Sequence, residues 1–203
     1  MCNDRKRQGV METTLSWYKE NAFLYAEKTK YSLVYDALGE FLSRVEEKGR
    51  ILDLGCGSGR DSFFFLERGF YVDSLDGSEA MKREAERLFG INVRLSDFLS
   101  LDEEEKYDGV WAQASILHLE EESLRKVLNL ISRALKTGGV FYTSFRKGEV
   151  DGFENGRWYT NMTESRFSSL LPPNLQIEKS WEGKDVRPGV NKTWLSIISR
   201  KEG

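Results

Sequence analysis

Three features are scarce or absent in this chain: cysteine, a long hydrophobic run and an excess of charge of one sign. The two cysteines are Cys2 and Cys56, too few for a disulfide framework, so we expect reduced thiols in the cytoplasm. No apolar run approaches the roughly 20 residues that span a bilayer. The polar, basic start has no apolar stretch behind it, so we do not expect it to be a secretory signal.

The charges of the chain nearly balance. The chain has 30 Lys and Arg and 33 Asp and Glu, for a net charge of −3. This balance argues against a protein that binds nucleic acid through its overall charge. With 203 residues, 39% of them hydrophobic, the composition predicts one packed domain. We expect residues 1–12 to form a flexible arm, with Met11 as an alternative natural start, and residues 13–203 to form the domain.

Hydrophobic periodicity predicts two helices, at 13–29 and 31–49, followed by alternating strands and helices. Predicted strands lie at 50–55, 70–76, 91–97, 107–115 and 140–146, with helices at 60–69, 78–90 and 120–139 between them. This alternation predicts an α/β fold with a parallel sheet covered on both faces. Residues 146–162 are predicted to be a loop and 163–172 a short helix. Two last strands, at 175–181 and 193–200, are joined only by a loop and should pair antiparallel.

A glycine-rich turn follows the first predicted strand. Gly55, Gly57 and Gly59 lie between that strand and a helix, where bare backbone N–H groups can approach a ligand. Asp76 ends the second strand, where a carboxylate can accept from both ribose hydroxyls. Asp53 points a carboxylate toward the turn, which would repel a pyrophosphate but suits an ammonium group. A ligand with ribose, an ammonium group and no phosphate is S-adenosylmethionine, whereas a nicotinamide dinucleotide favours Gly-x-Gly-x-x-Gly.

Several segments in order carry a family resemblance. Segment 51–61, ILDLGCGSGRD, resembles the first motif of class I S-adenosylmethionine-dependent methyltransferases. Segments similar to later motifs of that class are 95–101 (LSDFLSL), 107–119 (YDGVWAQASILHL) and 135–145 (LKTGGVFYTSF). The resemblance implies a Rossmann-like, seven-stranded, mostly parallel sheet with an antiparallel last strand and an N-terminal helical lid. The segment GSGRDS and the N-terminal helix are similar to the small-molecule branch that includes tellurite-resistance-type enzymes.

The resemblance implies a set of cofactor-binding residues, with Asp97 accepting from the adenine amino group and Phe98 flanking the ring. The full set is Tyr18, Asp53, Gly55, Gly57, Gly59, Arg60, Asp76, Met81, Asp97, Phe98 and Gln113. Two alternatives stay open: Asp97 caps a helical turn, and Asp53 braces the glycine turn instead of binding the ammonium group. Cys56 is interpreted as a packing residue, because methyl transfer needs no enzyme nucleophile.

The carboxyl ends of the parallel strands should also hold the methyl acceptor. Aromatic and charged residues predicted to line that pocket are Trp111, Arg146, Arg157, Tyr159, Trp181 and Arg187. His118, just beyond the fourth strand, is the candidate catalytic residue, either as general base or to orient the acceptor; capping of the next helix is the alternative. No metal site is predicted.

The functional hypothesis is a methyltransferase that acts on a small molecule by in-line displacement. Its rivals are an RNA or protein methyltransferase, a non-catalytic module that binds adenosyl ligands, and a nicotinamide-dependent oxidoreductase. An RNA or protein methyltransferase would need a basic surface or a recognition domain, and the glycine spacing opposes the oxidoreductase. No nucleic-acid or membrane partner is expected.

Overall fold

The computed structural model describes residues 2–203, with side chains from residue 9 onward. Its helices are α1 (Cys2–Thr29), α2 (Tyr35–Leu42), α3 (Arg60–Leu66), α4 (Glu79–Phe89), α5 (Glu121–Ala134) and α6 (Glu164–Leu170). Its strands are β1 (Arg50–Leu54), β2 (Tyr71–Asp76), β3 (Val93–Leu95), β4 (Tyr107–Ala112), β5 (Leu135–Arg146), β6 (Gly152–Glu154), β7 (Arg157–Tyr159), β8 (Leu175–Lys184) and β9 (Thr193–Lys201).

Seven strands form one sheet in the order β3-β2-β1-β4-β5-β9-β8. Strands β1 to β5 run parallel to one another, whereas β9 runs antiparallel to both β5 and β8. The predicted α/β fold with an antiparallel last strand is therefore confirmed. Because the strand order reverses between β1 and β4, a crevice opens at their carboxyl ends, where open α/β sheets bind ligands.

Helices cover both faces of the sheet. On one face, Leu52 and Leu54 of β1 pack in a core with residues of α5 and α6, such as Val127 and Phe167. On the other face, Ile51 packs with residues of α2 and α3. A parallel strand that is buried on both sides reads as a continuous apolar run, which is why β1 was predictable from its sequence.

Helix α1 lies over the crevice and packs on α4 and β7. It begins at Cys2 and so includes residues that we expected in the arm; the division into an arm and a domain stays a prediction. No helix within residues 2–203 has both the length and the apolar character needed to cross a membrane.

Several elements differ from the sequence interpretation, and the helix expected at 31–49 spans only Tyr35–Leu42. Residues 146–162, expected to be a loop, contain the antiparallel hairpin β6–β7. Its turn is Asn155-Gly156, with φ of +50° and +78°, and Asn-Gly is a preferred pair for such a tight turn. Helix α5 ends at Ala134 instead of continuing to 139, because residues from Leu135 onward already belong to β5.

Candidate functional site

The glycine turn after β1 uses its three glycines for different purposes. All have positive φ: +80° at Gly55, +55° at Gly57 and +78° at Gly59. A Cβ on Gly55 would collide with Ser115, and one on Gly59 would lie 2.9 Å from Ile91 Cγ1. A Cβ on Gly57 would instead meet only the Met81 methyl group, 3.7 Å away. Gly57 thus leaves bare backbone facing open space, whereas Gly55 and Gly59 allow close packing.

Asp76, at the end of β2, holds the turn in place. Its carboxylate accepts from the backbone N–H groups of Gly57 and Ser78, each at 2.8 Å. Burial raises the pKa of Asp76, against the lowering effect of these backbone hydrogen bonds. The carboxylate that we predicted to bind ribose therefore lies beside the glycine turn.

A first cavity of about 1020 Å³, including its mouth, adjoins the turn. Ten of the eleven predicted cofactor-binding residues line it: Tyr18, Asp53, Gly55, Gly57, Arg60, Asp76, Met81, Asp97, Phe98 and Gln113. Gly59 is a correction, because it faces Ile91 and Ala85 instead of the cavity. Cys56 also lines the cavity, and burial raises the pKa of its thiol.

Asp53 is a buried carboxyl at the floor of this cavity. Its Oδ2 accepts from the Ser62 hydroxyl at 2.6 Å. Burial, followed by repulsion from Asp61, raises the pKa of Asp53 to about 8. The group is therefore largely protonated at neutral pH in this structure, and a cation placed next to it would favour its ionised form.

Asp61 is a cavity residue that the sequence reasoning missed. It pairs with Arg60 at 2.7 Å and accepts from the indole N–H of Trp111 at 3.0 Å. The feature of the sequence that could have identified Asp61 is its position directly after Arg60, in the first turn of α3. Other residues that line the cavity and were not predicted are Met11, Thr14, Leu15, Thr29, Ser58, Gly77, Ser96, Ala114 and Ser115.

Asp97 and Gln113 face the cavity with hydrogen bonds already made. Asp97 Oδ1 accepts from the Leu99 N–H at 2.7 Å and so caps a short 3₁₀ turn, which was the alternative role. Gln113 Oε1 accepts from the hydroxyls of Tyr142 and Ser144, at 2.7 and 2.9 Å. These bonds fix the orientation of the Gln113 amide.

A second cavity, of about 1360 Å³ with its open mouth, lies beyond the first. Five of the six predicted acceptor-site residues line it: Arg146, Arg157, Tyr159, Trp181 and Arg187. Trp111 is a correction. Its side chain is completely buried and stacks on Tyr142, with ring centroids 4.0 Å apart, so it supports the cavity from below.

Both cavities share one set of lining residues, which we call the junction: Tyr18, Tyr25, Thr29, Arg60, Gln113, Ala114 and His118. Tyr18, Tyr25 and Thr29 come from α1. Arg60 follows the glycine turn after β1, and the other three residues follow β4. The two cavities therefore adjoin each other at these side chains. The geometry suits a reaction between two ligands that meet at the junction.

His118 is held at the junction by two hydrogen bonds. Its Nδ1 lies 2.5 Å from the Trp158 carbonyl, which can only accept, so Nδ1 carries the proton. Its Nε2 then accepts from the Tyr18 hydroxyl at 3.2 Å. Burial, and to a lesser extent the positive charges of Arg157 and Arg146, lowers the pKa of His118 to about 3.

No group of three His, Cys, Asp or Glu side chains in the described part of the chain could hold a metal ion. The described site consists of a glycine turn, buried carboxyls, aromatic side chains of α1 and arginines.

Residues 51–139 match the family model described as "Methyltransferase domain". The match runs from β1 into β5 and includes the glycine turn, Asp76 and His118. Together with the fold and the cavity, it supports a class I S-adenosylmethionine-dependent methyltransferase. S-adenosylmethionine is the cofactor of this class.

Curated relatives include several methyltransferases. The chain is 33% identical over 141 residues to sarcosine/dimethylglycine N-methyltransferase of Aphanothece halophytica, covering 62% of this chain and 50% of the relative. It is 23% identical over 134 residues to a probable methyltransferase, TehB, of Haemophilus influenzae, covering 64% and 46%. An uncharacterized methyltransferase of Staphylococcus carnosus is 21% identical and is covered to 79%, over 76% of this chain. The chain thus spans about half the length of the first two relatives.

Solved structures share the fold. The 1,6-didemethyltoxoflavin-N1-methyltransferase of Burkholderia thailandensis, with bound S-adenosylhomocysteine, has a TM-score of 0.74 and 22% identity, over 93% of this chain and 85% of its own. A TehB-like methyltransferase of Corynebacterium glutamicum has a TM-score of 0.69 and 21% identity, over 90% and 99%. At this level of identity the likeness supports the fold.

Proposed function

We propose that this chain transfers the methyl group of S-adenosylmethionine to a small molecule held in the second cavity. The observation that carries the proposal is the junction, because the two cavities adjoin each other at its residues. The cofactor belongs in the first cavity, where the glycine turn and Asp76 lie. The acceptor belongs in the second, among arginines and aromatic rings.

The first cavity fits an adenosyl ligand in its chemistry. Gly57 leaves room where a Cβ would project, and Asp76 offers buried carboxylate oxygens to ribose hydroxyls. Phe98 offers a ring edge or face for adenine. Asp53 would face the ammonium group of the methionine part and lose its proton on binding, because a cation favours a carboxylate.

When bound, the cofactor supplies a methyl group on a sulfonium, which is already a strong electrophile. The protein's task is then to align the acceptor and exclude water. Alignment of this kind is worth roughly 7–11 kcal/mol. Helix α1 covers the junction with Tyr18 and Tyr25, so we assign it the role of lid.

His118 serves in this proposal to hold Tyr18 in place. A histidine with a pKa of about 3 is a weak base at neutral pH, where general bases work best with a pKa near the operating pH. Its Nε2 is already engaged by the Tyr18 hydroxyl. The acceptor should therefore attack as a neutral amine or as an anion that is already deprotonated.

The lining of the second cavity favours a small acceptor, because aromatic rings with a few charged side chains are typical of small-ligand pockets. Two of the relatives carry the names of small-molecule substrates, sarcosine/dimethylglycine and 1,6-didemethyltoxoflavin. We assign the chain to the small-molecule branch on this basis, and to the cytoplasm, where reduced cysteines persist.

Methyl-labelled S-adenosylmethionine tests the proposal. The protein is incubated with it and with metabolites below about 1 kDa, total RNA or total protein, each prepared from cell extract. We expect label in the metabolite sample alone. Label in RNA or protein alone would support the rival methyltransferases. Binding of S-adenosylhomocysteine without any transfer would support the non-catalytic module.

A further inference from the structure

The second cavity is rich in arginine, but most of these charges are already paired. Arg146 Nη1 contacts Glu154 at 3.0 Å. Arg187 is bound by Asp185 through its Nε at 2.8 Å. At the junction, Arg60 is paired with Asp61. Arg60 and Arg187 therefore carry little unbalanced charge into the cavity, whereas Arg146 shares Glu154 with Lys192 and has a buried Nε without a partner.

Arg157, at the start of β7, is different. No Asp or Glu carboxylate among residues 9–203 pairs with it. Its guanidinium carbon lies 4.0 Å from the centre of the Trp17 ring, with Tyr18, Tyr25 and Tyr159 around it at 5.5–5.7 Å. Its one hydrogen bond is a long one, from Nη1 to the Tyr18 hydroxyl at 3.4 Å.

Two nitrogens of Arg157 have no hydrogen-bond acceptor in the described part of the chain. Nε is completely buried without a partner. Nη2 makes no hydrogen bond either and is not among the fully buried atoms, and Arg157 lines the second cavity. A partly buried cation without a carboxylate is costly, and aromatic faces compensate only part of that cost.

We propose that Arg157 binds a carboxylate of the methyl acceptor, so that the substrates of this site are small carboxylic acids in their anionic form. A carboxylate would give the guanidinium the planar acceptor that it lacks. The inference rests on the proposed function, since it names the substrate class of the same cavity.

The position of Arg157 separates this assignment from two others. Arg157 lines the second cavity and not the first, so it is placed for the acceptor and not for the carboxylate of the cofactor. It also fills the aromatic cage that would otherwise suit a cationic acceptor. One unpaired guanidinium matches a single negative charge better than a phosphate dianion. Lys184, which also lines this cavity, is exposed to solvent.

Arg157 also fixes the length of the acceptor. Its Nη1 bonds to Tyr18, which in turn bonds to His118 at the junction. A carboxylate on Arg157 therefore lies next to the point where the cavities meet. The accepting atom should be only a few bonds from the carboxylate.

Matched pairs of probes test the proposal by calorimetry on protein saturated with S-adenosylhomocysteine. The pairs are sarcosine with sarcosinamide and 3-aminobenzoate with 3-aminobenzamide, each a carboxylate with its uncharged amide. At least one carboxylate should bind tenfold or more tightly than its amide. The preference should vanish in Arg157→Met, weaken in Arg157→Lys and persist in Arg83→Met, a control at an exposed arginine of α4.

Several results would overturn the proposal. One is a panel in which no carboxylate is preferred, whether both members bind equally or neither binds. Others are a preference that survives Arg157→Met, a stronger affinity for inorganic phosphate, and a loss of S-adenosylhomocysteine affinity in Arg157→Met, which would assign Arg157 to the cofactor. If the unaltered protein does not bind S-adenosylhomocysteine, the proposed function itself fails.

Discussion

His118 is the only histidine of the chain, so its protonation can be followed without interference from other histidines. Its ring is 7% exposed and both nitrogens have partners: Nδ1 donates to the Trp158 carbonyl and Nε2 accepts from Tyr18. A proton added at Nε2 would break the bond from Tyr18 and bring a charge close to Arg157. We therefore predict that His118 stays neutral at every pH at which the protein is assayed.

The size of the effect follows from its pKa of about 3, against 6.5 for a free histidine. The difference of about 3.5 pH units corresponds to about 5 kcal/mol, at 1.36 kcal/mol per unit. The unfolded chain takes up a proton near pH 6.5 and the folded chain only near pH 3. The contribution of His118 to stability is thus complete above pH 6.5 and is lost as the pH falls from 6.5 to 3.

NMR of untagged protein with labelled histidine measures this directly. From pH 8 to pH 5, the Cε1–H resonance should not shift, and the nitrogen shifts should show a proton on Nδ1. In 6 M urea the same resonance should titrate near pH 6.5, which serves as the control. A midpoint between pH 5.5 and 7.5 in the folded protein would refute the reasoning and restore His118 as a candidate general base.

Other substitutions test the geometry of the turn and of the cavity floor. Gly55→Ala should lower the free energy of unfolding in urea by at least about 2 kcal/mol more than Gly69→Ala does. Both glycines have φ near +80°, but only Gly55 lacks space for a Cβ. Equal losses in the two variants would contradict the packing. Trp111→Phe should lower the free energy of unfolding by about 1–3 kcal/mol, because a buried carboxylate loses its donor; an unchanged value would contradict that role. As pH rises from about 4 to 8, the unfolded chain ionises at Asp53 while the folded chain keeps its proton. Stability should therefore fall across that window in the natural protein relative to Asp53→Asn, and parallel pH profiles would contradict the raised pKa.

The sheet and the position of Asp76 beside the glycine turn could be predicted because local patterns determine them. Apolar runs and helical periodicity alternate along the chain, and a carboxylate that ends β2 necessarily lies beside the turn after β1. Trp111 shows the limit of such reasoning. In a strand buried on both faces, the sequence does not reveal which side chains face a cavity and which face the core.

Two other features depend on contacts between distant segments. Gly59 packs against Ile91, a contact that the spacing of glycines does not reveal. The hydrogen bond between Tyr18 and Arg157 joins residues 139 positions apart, so the unpaired charge in the second cavity emerges only in the folded chain. The Asn155-Gly156 turn, by contrast, was present in the sequence as a hairpin signal.

Binding of S-adenosylhomocysteine, measured by calorimetry, tests the central claim most directly, with Asp76→Ala as the variant and the exposed Asp102→Ala as its control. We predict that the natural protein binds S-adenosylhomocysteine and not NAD. Asp76→Ala should lose tenfold or more in affinity while keeping its circular dichroism spectrum, because it loses charge-assisted hydrogen bonds to ribose. Asp102→Ala should bind as the natural protein does. Unchanged affinity in Asp76→Ala would contradict the placement of the cofactor beside the glycine turn.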